Sequence, residues 1–188
     1  MFAVNYLSTF YFVNLLLEHQ IIKPKNSIRP RLIFVSSESH RVNLPIDYDT
    51  FGQPIPYSAA KVVKFYGYYK LILNIFIAEL NRRYANEGKD LSVFALCPGA
   101  VHSSISRNAP TVLKPILWLV FKAFFQTPMH ASKPVEYLAC STKMEGQTGN
   151  YLHMMQDKPM SDASLVEVDG EKVWAASEQL LENLGFEL

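Results

Sequence analysis

The sequence predicts an α/β fold built on an open parallel sheet, and two observations carry this prediction. Two short apolar runs, Arg31–Val35 and Leu91–Cys97, have the continuous hydrophobicity that is typical of strands buried on both faces. A long helical segment, from about Ser58 to Tyr84, separates them. Strands that alternate with long helices are joined by parallel crossovers, so both strands are expected to lie in one sheet.

The other segments supply the layers around this sheet. Residues 1–19 are predicted to form a mostly buried helix, because large apolar side chains occupy most of its faces. Residues 38–56 are predicted to form a loop, since they contain three prolines and Gly52. The later part of the chain is predicted to hold helices over 111–126, 130–142 and 170–184 and a short strand over 150–154. Residues 1–188 together are expected to form one domain.

Composition excludes several classes of function. The formal net charge is +1, which argues against a nucleic-acid-binding protein because such proteins usually carry a strong basic excess. The two cysteines, Cys97 and Cys140, form no CxxC pair, and no Cys/His cluster has ligand spacing, so no metal site is predicted. The apolar stretches at 2–17 and 112–125 are too short and too interrupted to span a bilayer. We therefore expect a protein that is cytoplasmic or peripheral to an intracellular membrane.

Three polar residues are candidates for acid–base chemistry. Tyr66 and Lys70 lie four positions apart within the predicted long helix, so their side chains project from one face. A tyrosine hydroxyl has an ordinary pKa of about 10, and a neighbouring ammonium lowers that pKa towards neutrality. Ser37 follows the first strand, at the edge of a parallel sheet where ligands bind, and its hydroxyl is suited to hold a substrate oxygen. Tyrosine and lysine at this spacing also occur on many helices for structural reasons alone.

The order of three motifs resembles the short-chain dehydrogenase/reductase family. The motifs are Val35-Ser36-Ser37 at a strand end, Tyr66-Gly-Tyr-Tyr-Lys70 on a helix, and Pro98-Gly99-Ala-Val101-His-Ser103 after the next strand. Two further segments, Glu79-Leu80-Asn-Arg82-Arg83 and Thr148-Gly149-Asn-Tyr151, are similar to the retinol dehydrogenase and WW-domain oxidoreductase branch. The resemblance implies the C-terminal half of a doubly wound Rossmann-type parallel sheet with flanking helices.

The resemblance also implies an activity and a role for each site residue. It implies NAD or NADP as cofactor and an alcohol or carbonyl substrate, apolar and lipid-like, such as a retinoid or steroid. Tyr66 would be the acid/base, Lys70 would lower the pKa of Tyr66 and hold the cofactor ribose, and Ser37 would orient the substrate oxygen. Asn5 would support a proton-relay water. The cofactor pocket would be lined by Tyr66, Lys70, Pro98, Gly99, Val101 and Ser103.

A second Tyr-x-x-x-Lys motif, Tyr57 to Lys61, competes with the first. It looks locally more like the commonest form of the family's motif, yet Tyr57 follows two prolines and would stand at the start of the helix. The interval from Lys70 to Glu79 fits the resemblance, whereas Lys61 lies twice as far from Glu79. We therefore assign the catalytic motif to Tyr66 and Lys70.

The family's glycine-rich turn, Thr-Gly-x-x-x-Gly-x-Gly, is not found among the eight glycines of this sequence. That turn holds the cofactor pyrophosphate at a helix N-terminus. The resemblance therefore implies that the first strands of the sheet are missing from this sequence, and cofactor binding by this chain alone is not expected. A second hypothesis stays open, in which the chain is a catalytically inactive fragment that acts as an interaction module. Association into an oligomer and peripheral contact with a membrane also stay open.

Overall fold

A computed structural model describes residues 1–24, 28–56, 58–88, 90–101 and 125–188. The described helices are a π-helix at Ala3–Leu7 that continues into α1, and then α2 to α5. Their bounds are Ser8–Glu18 for α1, Val62–Asn86 for α2, Pro128–Cys140 for α3, Asp162–Leu165 for α4 and Glu167–Asn183 for α5. Short 3₁₀ helices lie at Glu38–Arg41, Ala59–Lys61 and Thr142–Met144.

The described strands form one sheet in the order β1-β2-β3-β4. Their bounds are Arg31–Val35, Ser92–Cys97, Tyr151–His153 and Gln156–Lys158. β1, β2 and β3 are parallel, with Val35 opposite Leu96 and Cys97 opposite His153, which confirms the predicted parallel α/β fold. β4 pairs antiparallel with β3 through a tight turn. β4 was not predicted, because its residues are polar and do not alternate with apolar ones.

The two faces of the sheet are covered unequally. Successive residues of β2 point to opposite faces, so Val93, Ala95 and Cys97 join one cluster, and Phe94 and Leu96 join the other. The first cluster is large and contains most of the buried aromatic side chains from the first helix, α2 and α5. The second is small and is closed by α3.

Two predictions about burial are wrong. The first helix was expected to be mostly buried, but Phe12 and Val4 are 61% and 81% exposed, so only one face of this helix packs on the core. β1 was expected to be buried on both faces, but Val35 is 52% exposed. The reason is that β1 pairs only with β2 among the described strands, which leaves it at an edge of the sheet.

The helix predicted over 111–126 lies almost wholly outside the described residues. Of its last positions, Gln126 is described and forms an isolated bridge with Val101 rather than part of a helix. The final helix begins at Glu167, three residues earlier than the predicted start at Gly170.

A buried ionic network joins α2 to α5. Glu79 is almost fully buried and forms ion pairs with Arg82 and Arg83. The Arg83 guanidinium lies 4.0 Å from the ring centroid of Trp174. A buried carboxylate is tolerated only where cations compensate for its lost hydration, and here two of them do so. The Glu-Leu-Asn-Arg-Arg segment therefore holds the helix layer together.

Candidate active site

The start of α2 and the end of β1 bring three of the predicted site residues together. Tyr66 and Lys70 lie on neighbouring turns of α2, and Ser37 follows β1. The side chain of Ser37 lies near enough to the Tyr66 hydroxyl to affect its pKa. The Lys70 ammonium lies 5.8 Å from the centroid of the Tyr66 ring. The predicted constellation of serine, tyrosine and lysine therefore lies at the carboxyl edge of the parallel sheet.

The electrostatics of Tyr66 differ from the expectation. Burial raises the pKa of the Tyr66 hydroxyl, the nearby side chain of Ser37 opposes this rise, and the nearby Cys97 thiol adds to it. The net direction is opposite to the lowering that Lys70 was expected to cause. The Lys70 ammonium instead donates a hydrogen bond to the Val35 carbonyl at 3.0 Å, and burial lowers the pKa of this lysine. In this structure Tyr66 is therefore a neutral phenol near neutral pH.

The contact between the two elements depends on a glycine. Gly67 stands beside Tyr66 on α2, and the 3₁₀ helix after Ser37 packs directly over it. A Cβ atom at Gly67 would lie only 2.5 Å from the Ser39 carbonyl oxygen. The missing side chain thus lets the backbone after β1 approach α2 closely enough for Ser37 to reach Tyr66.

Polar side chains tie the same 3₁₀ helix to the region of β3 and β4. The Glu38 carboxylate accepts a hydrogen bond from the Tyr151 hydroxyl at 2.9 Å and pairs with Lys158 at 3.3 Å. Arg41 donates to the Pro159 carbonyl at 2.7 Å. Although partial burial opposes it, hydrogen bonds from Tyr151, Arg41 and Lys158 hold the pKa of Glu38 at about 2. The carboxylate is therefore ionised throughout the physiological pH range.

The segment after β2 contains three further predicted residues. Gly99 has a φ of +79°, a conformation that favours glycine. The Gln126 side-chain amide donates to the Pro98 carbonyl, and the Gln126 backbone bridges to Val101. A Cβ at Gly99 would lie 3.2 Å from Met154 Cγ. Ser103, the last residue predicted for this pocket, lies outside the described residues.

Asn5 does not join the other predicted site residues through a hydrogen bond within the described part of the chain. It lies in the π-helix that precedes α1, and its side-chain amide donates to the Met1 carbonyl at 3.0 Å. Single π-turns inside helices often occur at functional sites. The role of Asn5 in a proton relay stays a prediction.

The rival motif is only partly described. Tyr57 lies outside the described residues, and Lys61 is exposed at the end of a 3₁₀ helix just before α2. Lys70, in contrast, is half-buried and bonded to the end of β1.

Two residues near the site were not found from the sequence. Asn74 is fully buried one turn beyond Lys70, and its Oδ1 accepts a hydrogen bond from Ser36 Oγ at 2.6 Å. A single asparagine within the apolar run from Leu71 to Ile77 was a detectable signal. The contact of Glu38 with Tyr151 could not be found from the sequence, because the two residues are far apart in the chain.

The described residues include no group of three histidine, cysteine or acidic side chains that could hold a metal ion. Within the same residues, no helix has both the length and the apolar character needed to cross a membrane.

Comparison with known proteins gives consistent relatives over nearly the whole chain. The chain is 31% identical over 182 residues to retinol dehydrogenase 14 of Mus musculus, and the match covers 96% of this chain and 52% of that protein. It is 27% identical over 180 residues to polyprenol dehydrogenase of Homo sapiens, and the match covers 94% of this chain and 52% of that protein. It is 25% identical over 186 residues to the chloroplastic short-chain dehydrogenase TIC 32 B of Brassica napus, and the match covers 97% of this chain and 57% of that protein.

The chain thus spans about half the length of the curated relatives it matches. No protein-family profile matches it. Among solved structures, an uncharacterized protein from Mycobacterium paratuberculosis has the same fold, with a TM-score of 0.56 and 22% sequence identity over 95% of this chain and 57% of that one.

Proposed function

We propose that this chain, which belongs to the short-chain dehydrogenase/reductase family, carries the proton-transfer site of an oxidoreductase that interconverts an alcohol and a carbonyl compound. One observation carries the proposal. Ser37 and Tyr66 lie close together where the backbone after β1 approaches Gly67 of α2, and Lys70 lies beside the same tyrosine ring. A hydroxyl pair of this kind can bind one substrate oxygen while one member exchanges a proton with it.

The direction of the Tyr66 pKa defines the proton step. Because burial raises the pKa of Tyr66, the hydroxyl carries its proton near neutral pH. It is therefore ready to donate that proton to the oxygen of a carbonyl substrate during reduction, and the phenolate that remains takes up a proton from solvent. In the reverse direction the phenolate accepts the hydroxyl proton of an alcohol. Ser37 holds the substrate oxygen in both directions.

The residues of this site suit the nicotinamide end of a cofactor. NAD or NADP, when bound, would supply or accept the hydride. Tyr66 and Lys70 offer a hydroxyl and an ammonium on one face of α2, and both suit the hydroxyl groups of a ribose. Pro98, Gly99, Val101 and Ser103 are proposed to line the nicotinamide side, and Asn5 is proposed to support proton relay. No glycine-rich turn in this sequence provides for the pyrophosphate.

An apolar substrate fits the surroundings of the site. Met154 and Met155 form the turn between β3 and β4 at the same edge of the sheet, and they are 43% and 51% exposed. Met154 also lies against Gly99. Flexible thioether side chains pack well against apolar ligands of irregular shape. The relatives named as retinol and polyprenol dehydrogenases favour the same class of substrate, a long apolar alcohol or its carbonyl counterpart.

The test is cofactor-dependent turnover by the protein that carries this chain. We would measure reduction of NAD and NADP with a retinoid alcohol, a long-chain primary alcohol and ethanol. The expected result is turnover with the two apolar alcohols and little with ethanol. Lys70→Met should lower kcat/KM at least about 100-fold. The matched control Lys61→Met changes an exposed lysine of the rival motif and should leave the rate unchanged. Absence of turnover with every alcohol, or a larger loss in Lys61→Met, would contradict the proposal.

A further inference from the structure

We propose that His40 is a positioning residue that fixes Ser37 for proton transfer; this inference rests on the proposed function. His40 lies in the 3₁₀ helix Glu38–Arg41 and is fully buried. Both nitrogens of its ring are engaged. Nδ1 lies 2.7 Å from the Ser37 carbonyl oxygen, and Nε2 lies 3.1 Å from the backbone nitrogen of Ser161.

The chemistry of the two partners fixes the tautomer of the ring. A backbone N–H can only donate, so His40 Nε2 must accept from Ser161 and carries no proton. A carbonyl oxygen can only accept, so Nδ1 must carry the proton and donate to Ser37. His40 is therefore neutral with its proton on Nδ1. Burial also lowers the pKa of His40, which agrees with a neutral ring.

The two hydrogen bonds of the His40 ring connect Ser37, at the end of β1, to a part of the chain that is distant in sequence. Ser161 immediately precedes α4, and the Tyr151 ring of β3 lies edge-on to the His40 ring at a centroid distance of 5.1 Å. The imidazole thus links the backbone of Ser37 to an element that packs on α2. Without the ring, the Ser37 carbonyl would keep the hydrogen bond from the His40 backbone N–H at 3.0 Å but would lose its link to Ser161.

The position of Ser37 matters because its hydroxyl lies near both Ser39 and Tyr66. Ser37 Oγ accepts a hydrogen bond from the Ser39 backbone N–H at 3.2 Å, donates to Ser39 Oγ at 3.2 Å and lies near the Tyr66 hydroxyl. A small rotation or shift of Ser37 would move its hydroxyl away from Tyr66. Misplacement of a reacting group by about 1 Å can lower a rate about 100-fold. The bond from His40 to the Ser37 carbonyl opposes such a shift.

Two substitutions separate the two bonds of the ring. In His40→Asn the amide nitrogen can stand near the position of Nδ1 and donate to the Ser37 carbonyl, but it cannot reach Ser161. In His40→Gln the amide oxygen can stand near the position of Nε2 and accept from Ser161, while the side-chain donor to Ser37 is lost and only the backbone N–H of residue 40 still donates to that carbonyl. His19→Gln, which changes an exposed histidine, is the matched control.

The experiment measures kcat, KM and the hydrogen exchange of the Ser39 amide in the protein that carries this chain. His40→Gln should lower kcat about 10- to 100-fold with KM within about threefold, and it should accelerate Ser39 exchange. His40→Asn should retain at least about tenfold more activity than His40→Gln and should keep Ser39 protected. Equal losses in both variants, in step with their melting temperatures, would overturn the proposal, as would a smaller loss in His40→Gln.

The hydrogen exchange of the Ser39 amide can be measured whether or not the protein turns over an alcohol, so it tests the role of His40 independently of the proposed function. If the wild-type protein turns over no alcohol, the proposed function fails, and the Ser39 exchange in the two variants still decides whether His40 positions Ser37. Ser39 exchange that is unchanged in both variants overturns the inference whatever the activity. A ¹⁵N spectrum of the wild-type protein that shows the His40 proton on Nε2 also overturns it.

Discussion

Two segments leave neighbouring strands at the same edge of the sheet, and they are held in place in different ways. The segment after β1, residues 36–41, is held by side-chain contacts with distant parts of the chain, such as those of Glu38 with Tyr151 and Arg41 with Pro159. The segment after β2, residues 98–101, is held by the left-handed backbone of Gly99 and by contacts with Gln126.

The difference indicates how each segment responds to mutation. Several independent polar contacts hold the first segment, so the loss of one should cost little stability while still shifting the hydroxyl of Ser37. The second segment depends on one backbone conformation that other residues adopt only at a cost. We therefore expect stability to be most sensitive after β2 and proton transfer to be most sensitive after β1.

The largest effect on stability is expected for Gly99→Ala. The left-handed conformation costs alanine about 1–2 kcal/mol, and contact of the new Cβ with Met154 and Gln126 should add about 1 kcal/mol. Gly146→Ala is the matched control, because Gly146 has a similar φ of +70° and nothing lies within 4 Å of its Cβ position. Urea unfolding of the two variants should show the larger loss at Gly99. Equal losses would mean that the contacts after β2 contribute nothing.

An intermediate effect is expected for Gly67→Ala, and its sign is diagnostic. Helix propensity alone predicts a gain of about 1 kcal/mol, because alanine replaces glycine inside α2. The contact predicts a loss, because the new Cβ would lie 2.5 Å from the Ser39 carbonyl oxygen, a backbone atom that cannot move aside alone. We expect a net loss of about 1–2 kcal/mol in urea unfolding, together with lower turnover. A stabilised variant with full activity would show that the close approach to α2 is not required.

The smallest effect is expected for Glu38→Gln, and it depends on pH. The pKa of Glu38 is about 2 in the folded chain against an ordinary value of 4.5, so the unfolded chain binds this proton first as the pH falls. The stabilisation is therefore complete above about pH 4.5 and is lost as the pH falls towards 2. After allowance for solvent screening it should reach about 1 kcal/mol.

Unfolding of wild-type and Glu38→Gln protein across this pH range checks the expectation. The difference between the two proteins should be largest near neutral pH and should shrink in acid. A difference that does not change with pH would mean that the Glu38 carboxylate contacts are too exposed to stabilise the segment.

Local sequence signals predicted much of the fold and of the site. Continuous apolar runs located β1 and β2, and the order of the elements predicted that Ser37 and the first turns of α2 meet at one edge of the sheet. The position of His40 beside the site was visible in the sequence, but its contact with Ser161 could not be predicted, because the two residues are far apart in sequence. The rise in the pKa of Tyr66 also could not be predicted, because it is caused by burial, and the spacing of Tyr66 and Lys70 gives no information about burial. The turn at Met154 has a φ of +58° without a glycine, so the hairpin of β3 and β4 gave no turn signal.

Replacement of Tyr66 tests the central claim most directly. Tyr66→Phe removes the exchangeable proton and keeps the ring, whereas Tyr57→Phe makes the same change in the rival motif. We expect kcat for alcohol oxidation to fall by a factor on the order of 1000 or more in Tyr66→Phe, with a modest loss of cofactor affinity, and to stay near the wild-type value in Tyr57→Phe. Equal losses in the two variants, or a larger loss in Tyr57→Phe, would contradict the assignment of Tyr66 as the proton-transfer residue.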